Sequence, residues 1–119
     1  METPKIFESE YKFCEILWEH EPISSSELVR LCSEKLEWKK STTYTVIRRL
    51  SERGVLRSKD AIVTSLVSKE EVLSAESAQV VERTFAGSLP DFIAAFTRKK
   101  KLSKQEIDEV QRMIDSIKE

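Results

Sequence analysis

The residues best equipped for chemistry lie together in one stretch, Lys39 to Gly54, read KKSTTYTVIRRLSERG. Hydroxyls and cations dominate it, and Glu52 is its only carboxylate. Such groups hydrogen-bond base edges and neutralise phosphates. Laid out at about 100° per residue, Thr43, Val46, Ile47 and Leu50 gather on one side of a helix. Ser41, Tyr44, Thr45 and Arg48 take the opposite side, with Thr42 and Arg49 on the flank. A helix held by its apolar back and offering this face fits a DNA major groove. Taken alone, the pattern also describes a solvated cationic surface helix, so the neighbouring elements have to decide.

Catalysis finds little to work with. The chain has one histidine, His20, and two glycines, Gly54 and Gly87, with no phosphate-cradling loop and no nucleophile beside a base. Cys14 and Cys32 sit in apolar helical patterns, without a CxxC spacing or a histidine at ligand distance, and read as buried small hydrophobes in a reducing compartment. No enzyme activity, cofactor or metal ion is expected. The first ten residues lack an apolar signal core and no run of about 18 apolar residues occurs, so a cytoplasmic protein with no direct membrane binding is expected.

At 119 residues and 39% hydrophobic content, the chain can build one compact domain plus an extension, which at this size often gains stability by self-association. The net charge of −1 conceals an asymmetry. From Lys39 to Lys59, seven basic residues (Lys39, Lys40, Arg48, Arg49, Arg53, Arg57, Lys59) stand against Glu52, a local balance of +6, which leaves −7 for the remainder. A positive segment in a near-neutral chain points to a polyanion partner for that segment alone.

The flanking pattern supplies a scaffold. A helix from Ser9 to about His20 carries Tyr11, Cys14, Leu17 and Trp18 on one face, and Pro22 breaks it. Ser24 with Glu27 forms a capping box opening a second helix to about Leu36, with Leu28, Leu31 and Cys32 inward. A short turn containing Trp38 leads into the cationic helix, which stops at Gly54. That is helix-turn-helix order. Val55 to Ser58 and Ala61 to Thr64 read as two short strands around a Lys59-Asp60 turn, the second only half formed, as in the wing of a winged helix. A capping box at Ser68 and Glu71 opens a helix to about Phe85, ended by Gly87; Ser88 to Phe96 is a more apolar helical stretch. Arg98 to Lys101 reads as a cationic linker, and Ser103 with Glu106 caps the last helix. Ile107, Val110, Ile114 and Ile117 form a seam at 3, 4 and 3 spacing that calls for another helix, from the same half of the chain or from a second copy. The expected fold is mainly α with a small β-hairpin wing: a winged helix over residues 1–68 and a helical region over 69–119.

This order of elements, with several local matches, resembles the bacterial penicillinase-repressor family. Ser9-Glu10-Tyr11 with Ile16-Leu17-Trp18 is similar to its opening helix, and Pro22-Ile23-Ser24 with Glu27-Leu28-Val29 to its second. Trp38 followed by Thr42 to Leu50 and Gly54 resembles its recognition helix. Leu66 to Glu71 resembles the exit from the wing, Phe85-Ala86-Gly87-Ser88-Leu89 the tail, and Leu102 to Ile107 the last-helix start. The resemblance implies a transcriptional repressor whose winged helix reads a palindromic double-stranded operator, here through Lys39, Lys40, Ser41, Thr42, Tyr44, Thr45, Arg48 and Arg49. It implies a homodimer held by the C-terminal helices, here through Val72, Phe85, Leu89, Phe92, Ile93, Ile107, Val110, Ile114 and Ile117. In the antibiotic branch, which controls β-lactam-resistance genes, it also implies a membrane sensor-protease system that leads to cleavage in the tail, at positions matching Ala95 and Phe96.

Three departures qualify what carries over. No cysteine follows Cys32, so copper sensing through C-terminal C-x-C motifs is excluded. The family's cleaved bond joins Asn to Phe, and Ala95 stands here in the asparagine's place; the plain reading of Phe96 is an apolar residue of the tail. The wing is about four residues shorter than is usual in the family and lacks a basic, glycine-containing turn, which keeps open an alternative: a winged helix used for protein–protein contact, with a wing too short for DNA.

Overall fold

In the computed structural model, which describes residues 2–118, six helices and three short strands follow in order. They are α1 (Glu8–His20), β1 (Ile23–Ser24), α2 (Ser25–Leu36), α3 (Lys40–Glu52), β2 (Leu56–Lys59), β3 (Ile62–Ser65), α4 (Lys69–Phe85), α5 (Leu89–Lys99) and α6 (Lys104–Ile117). The chain divides into two compact units within α4, one ending at Ser77 and the other beginning at Ala78.

The first unit has a single core. Phe13, Cys14, Ile16 and Leu17 of α1 meet Leu28, Leu31 and Cys32 of α2, Val46, Ile47 and Leu50 of α3, and Leu56 and Val63 of the sheet. The turn from α2 to α3 is made by Glu37, left-handed at φ 57, and by Trp38, whose ring stacks on Phe13 at 6.0 Å. Ser24 caps α2 through its hydroxyl, which accepts from the Glu27 N–H at 3.1 Å. The reciprocal half of the expected capping box is missing because the Glu27 carboxylate pairs with Arg30 instead. Cys14 and Cys32 are both buried. Burial, reinforced by the Glu10 charge, pushes the Cys14 thiol up to about 12, and burial raises Cys32 as well, so both are held in the unreactive neutral form.

The sheet has one strand more than the sequence pattern predicts. β3 is central and pairs antiparallel with both β1 and β2, the order being β1-β3-β2. Both hairpin strands are complete at four residues, and the turn is Asp60-Ala61, one residue later than the pattern predicts. Both turn residues are left-handed, at φ 53 and 63, the twist that a two-residue hairpin demands. The C-terminal end of α1 grips the far side of this hairpin. Glu21 accepts from the Ser65 N–H (2.7 Å) and hydroxyl (2.8 Å), and the Trp18 indole donates to the Val67 carbonyl at 3.0 Å. The Ser68 and Glu71 capping box then opens α4 with both bonds formed, at 3.0 Å each.

Val72 is only 2% exposed and belongs to the first unit's core, which corrects its place among the self-association residues: its side chain is already occupied. In the second unit, Ser88 caps α5, and Ser103 with Glu106 forms a complete capping box on α6. Arg98 and Lys99 are the last turn of α5 rather than a linker, where cations favour the negative end of the helix dipole. Phe85, Phe92 and Phe96 form a chain of ring contacts at 5.5 and 6.1 Å. No residue of α5 or α6 is buried.

Candidate nucleic-acid interface

α3 forms because its inward positions are spaced for a helix and its outward ones are polar. Thr43, Val46, Ile47 and Leu50 are buried, as their spacing predicts. Lys39, Lys40, Ser41, Thr42, Tyr44, Arg48 and Arg49 are exposed, and Thr45 is half-exposed. All eight therefore lie on or beside a solvent-facing side of α3 or at its first turn. Lys39 occupies the N-cap position and makes no side-chain capping bond, which leaves first-turn N–H groups free of a side-chain acceptor. An unfilled helix N-terminus flanked by Lys39 and Lys40 favours a phosphate oxygen there. Further along, Ser41, Thr42, Tyr44 and Thr45 supply hydroxyls that can donate or accept, the property needed to meet base edges.

The cations of the segment are not equivalent. Arg48 lies 3.8 Å from Glu52, with both side chains more than 60% exposed, a contact that water screens and that leaves the guanidinium free to re-pair. Lys39, Lys40, Arg49, Arg57 and Lys59 have no carboxylate partner among the described residues. Arg53 is different: it is half-buried and bound within the protein to Glu10 and to the Lys5 carbonyl. Six of the segment's seven cations therefore remain for a partner, and its local balance of +6 falls to +5.

The hairpin adds two cations that the residue pattern of α3 does not reveal. Leu56 and Val63 point into the core, so Arg57 and Lys59, alternating with Leu56 along β2, stand on the outward face with Ile62 and Thr64 opposite them. The charge count of the segment already includes both; that they share the outward face follows from this alternation, which strands so short do not display in sequence. Among the described residues no group of three or more His, Cys, Asp or Glu is placed to hold a metal ion, and no helix is long and apolar enough to cross a membrane.

Comparison with known proteins agrees with this architecture. The chain is similar to the solution structure of the DNA binding domain of the repressor BlaI (TM-score 0.53, 24% identity), over 60% of this chain and 93% of that one. It is also similar to Bacillus licheniformis BlaI in complex with the blaP half-operator (TM-score 0.51, 22% identity), with the same coverage. These likenesses show a shared winged-helix fold. The whole chain is similar to the penicillinase repressor of Bacillus licheniformis, 23% identical over 119 residues that span 97% of this chain and 93% of the relative. It is 25% identical over 117 residues to the methicillin resistance regulatory protein MecI of Staphylococcus aureus (strain Mu50 / ATCC 700699), covering 95% of each. The model of the penicillinase repressor family matches residues 6–116, and the chain belongs to that family, one of transcriptional repressors rather than enzymes.

Proposed function

We propose that this protein is a cytoplasmic homodimeric repressor that binds a palindromic DNA operator through α3 and its first turn. The observation that carries the reading is the split of α3: four side chains buried behind it, and a polar face with a single acid, Glu52, in front. Ser41, Thr42, Tyr44 and Thr45 address base edges, while Lys39, Lys40, Arg48 and Arg49 meet phosphates, with either arginine able to pair with a guanine. Two-fold symmetry of a dimer matches a dyad in the operator. Joining two heads makes the second contact nearly intramolecular, worth about 10²–10⁴ in avidity. The exposed seam Ile107, Val110, Ile114 and Ile117, with Phe85, Leu89, Phe92 and Ile93, is the surface for the second copy, because the second unit buries none of α5 or α6 by itself. Covering such side chains stabilises an assembly by about 25 cal/mol per Å² of apolar surface removed from water.

In this reading the operator lies before genes of the β-lactam-resistance type. Relief by a membrane sensor-protease system would act on the Ala95–Phe96 bond. That bond lies within α5, so cleavage there requires the helix to unwind locally before an extended segment can enter a protease. The test of the central proposal is binding of genomic fragments by the purified protein at two salt concentrations, beside an Arg48→Ala/Thr45→Ala variant. Salt-sensitive binding to a dyad-symmetric site, abolished in the variant, supports the repressor. Binding that never rises above nonspecific affinity overturns it, and assigns α3 and the short wing to protein contact.

A further inference from the structure

Arg53 belongs by sequence to the same cationic run as Arg48 and Arg49, but its surroundings give it another role. It is the C-cap of α3, and its guanidinium turns back toward the start of the chain. One terminal nitrogen donates to the Lys5 carbonyl at 2.9 Å, the other pairs with the Glu10 carboxylate, and the Phe7 ring lies against the guanidinium carbon at 4.8 Å. Glu10 is 6% exposed and holds this pair with one oxygen while the other accepts from the Phe7 N–H at 3.0 Å, closing the first turn of α1. One buried carboxylate thus ties the beginning of α1 to the end of α3.

We infer that Arg53 and Glu10 are positioning residues for DNA recognition, setting the tilt of α3 against the rest of the first unit, and that Arg53 does not contact phosphate. The inference rests on the reading of α3 as the recognition helix. The remaining anchorage of α3 is the packing of Thr43, Val46, Ile47 and Leu50, and apolar contact is non-directional, so it resists separation better than rocking. A guanidinium–carboxylate pair is directional, and its value in a protein interior lies more in fixing geometry than in net stability. At about 1.5 Å per residue, Thr45 stands roughly 12 Å along the axis from Arg53, so a tilt of about 5° displaces the base-facing hydroxyls by roughly 1 Å. Hydrogen bonds tolerate a spread of about 0.5 Å in length, so that displacement is enough to break them. Phosphate contacts made by flexible lysines absorb it.

The test measures operator and nonspecific DNA affinity of the full-length chain across a salt series, for wild type, Glu10→Gln, Arg53→Lys and the double variant Glu10→Gln/Arg53→Gln. The double variant leaves no unpaired buried charge and keeps the comparison open where a single variant loses its fold, with folding followed by circular dichroism. The expected result is an operator preference reduced about tenfold in each folded variant, with nonspecific affinity and the salt slope unchanged. If Arg53 instead neutralised a phosphate, removing its charge in the double variant would flatten the slope by about 0.9 for each site, and would overturn the assignment. Full operator preference in every folded variant would overturn it too, leaving the pair a purely structural tie. A wild-type chain with no operator preference would overturn the recognition reading itself, and this role with it.

Discussion

Thr43 and Thr45 stand two positions apart on α3, and removing the hydroxyl has opposite consequences at the two. Thr43 is 0% exposed and its Oγ1 has no hydrogen-bond partner beyond the weak thiol of Cys32. A buried hydroxyl left unsatisfied costs about 1–3 kcal/mol, and a thiol contact recovers only part of that. Thr43→Val keeps the shape and the β-branch, removes the stranded oxygen and puts a methyl in its place. The expected gain is about 1 kcal/mol, or roughly 4–8 °C in Tm for a unit of this size. Thr45→Val removes a half-exposed hydroxyl from the outward face, leaves Tm within about 1 °C, and weakens operator binding about tenfold. Both variants are to be compared with wild type by urea and thermal unfolding at one fixed protein concentration, since the proposed self-association would make Tm concentration-dependent. Their operator affinity is to be titrated alongside. A Thr43→Val protein less stable than wild type by more than about 0.5 kcal/mol would show that its hydroxyl is satisfied in the core, and would refute the reasoning.

Other consequences are open to measurement. Cys14 keeps its proton to about pH 12 in the folded state against an ordinary 9.0, so its contribution is complete below pH 9 and disappears as pH rises toward 12. Stability should fall in that window by up to about 1.4 kcal/mol per pH unit more in wild type than in Cys14→Val, and parallel profiles would contradict the cause given. Ala61 carries a Cβ at φ 63, where a side chain costs about 1–2 kcal/mol, so Ala61→Gly should raise the urea midpoint despite its looser unfolded chain. Ile114→Lys, in the exposed seam of α6, should yield a folded monomer by sedimentation, with operator affinity down about 10²-fold or more. Arg57→Gln/Lys59→Gln should flatten the salt dependence of DNA binding by about 0.9 for each phosphate that the wing no longer neutralises; an unchanged slope would place the wing away from DNA.

What the residues disclose in advance, and what they withhold, follows from the range of each interaction. Helix boundaries are set by contacts three and four residues apart, and the Ser68/Glu71 and Ser103/Glu106 boxes form as their spacing predicts. The Ser24/Glu27 box forms by half, since Arg30 competes for the same carboxylate one turn later. β1 has two residues, too few to show any alternation, and exists because β3 offers it an edge about forty residues downstream. The hairpin turn falls one residue later than the pattern predicts because Ala61 occupies a left-handed position that composition would assign to glycine or asparagine. Val72 carries no local mark of burial; its place in the core depends on where α4 leaves the sheet.

The candidate interface is legible in its front and hidden in its support. The 3.6-residue period is enough to separate the side of α3 that faces the core from the side that faces solvent, and all eight residues expected at DNA fall where a partner can reach them. A charge count, however, treats every cation alike. In the fold, Lys39, Lys40 and Arg49 meet no carboxylate among the described residues, Arg48 is loosely paired, Arg57 and Lys59 stand on the wing, and Arg53 is bound to Glu10, forty-three residues away. Only the tertiary contact distinguishes a guanidinium that can neutralise a phosphate from one that holds the helix. The consequence for sequence reading is specific: a basic residue directly before the glycine that ends a recognition helix is a candidate anchor when a glutamate lies in the first turn of the opening helix. Here that glutamate is Glu10, which in sequence looks like an ordinary helix-start acid, since nothing in its local pattern records the partner it meets.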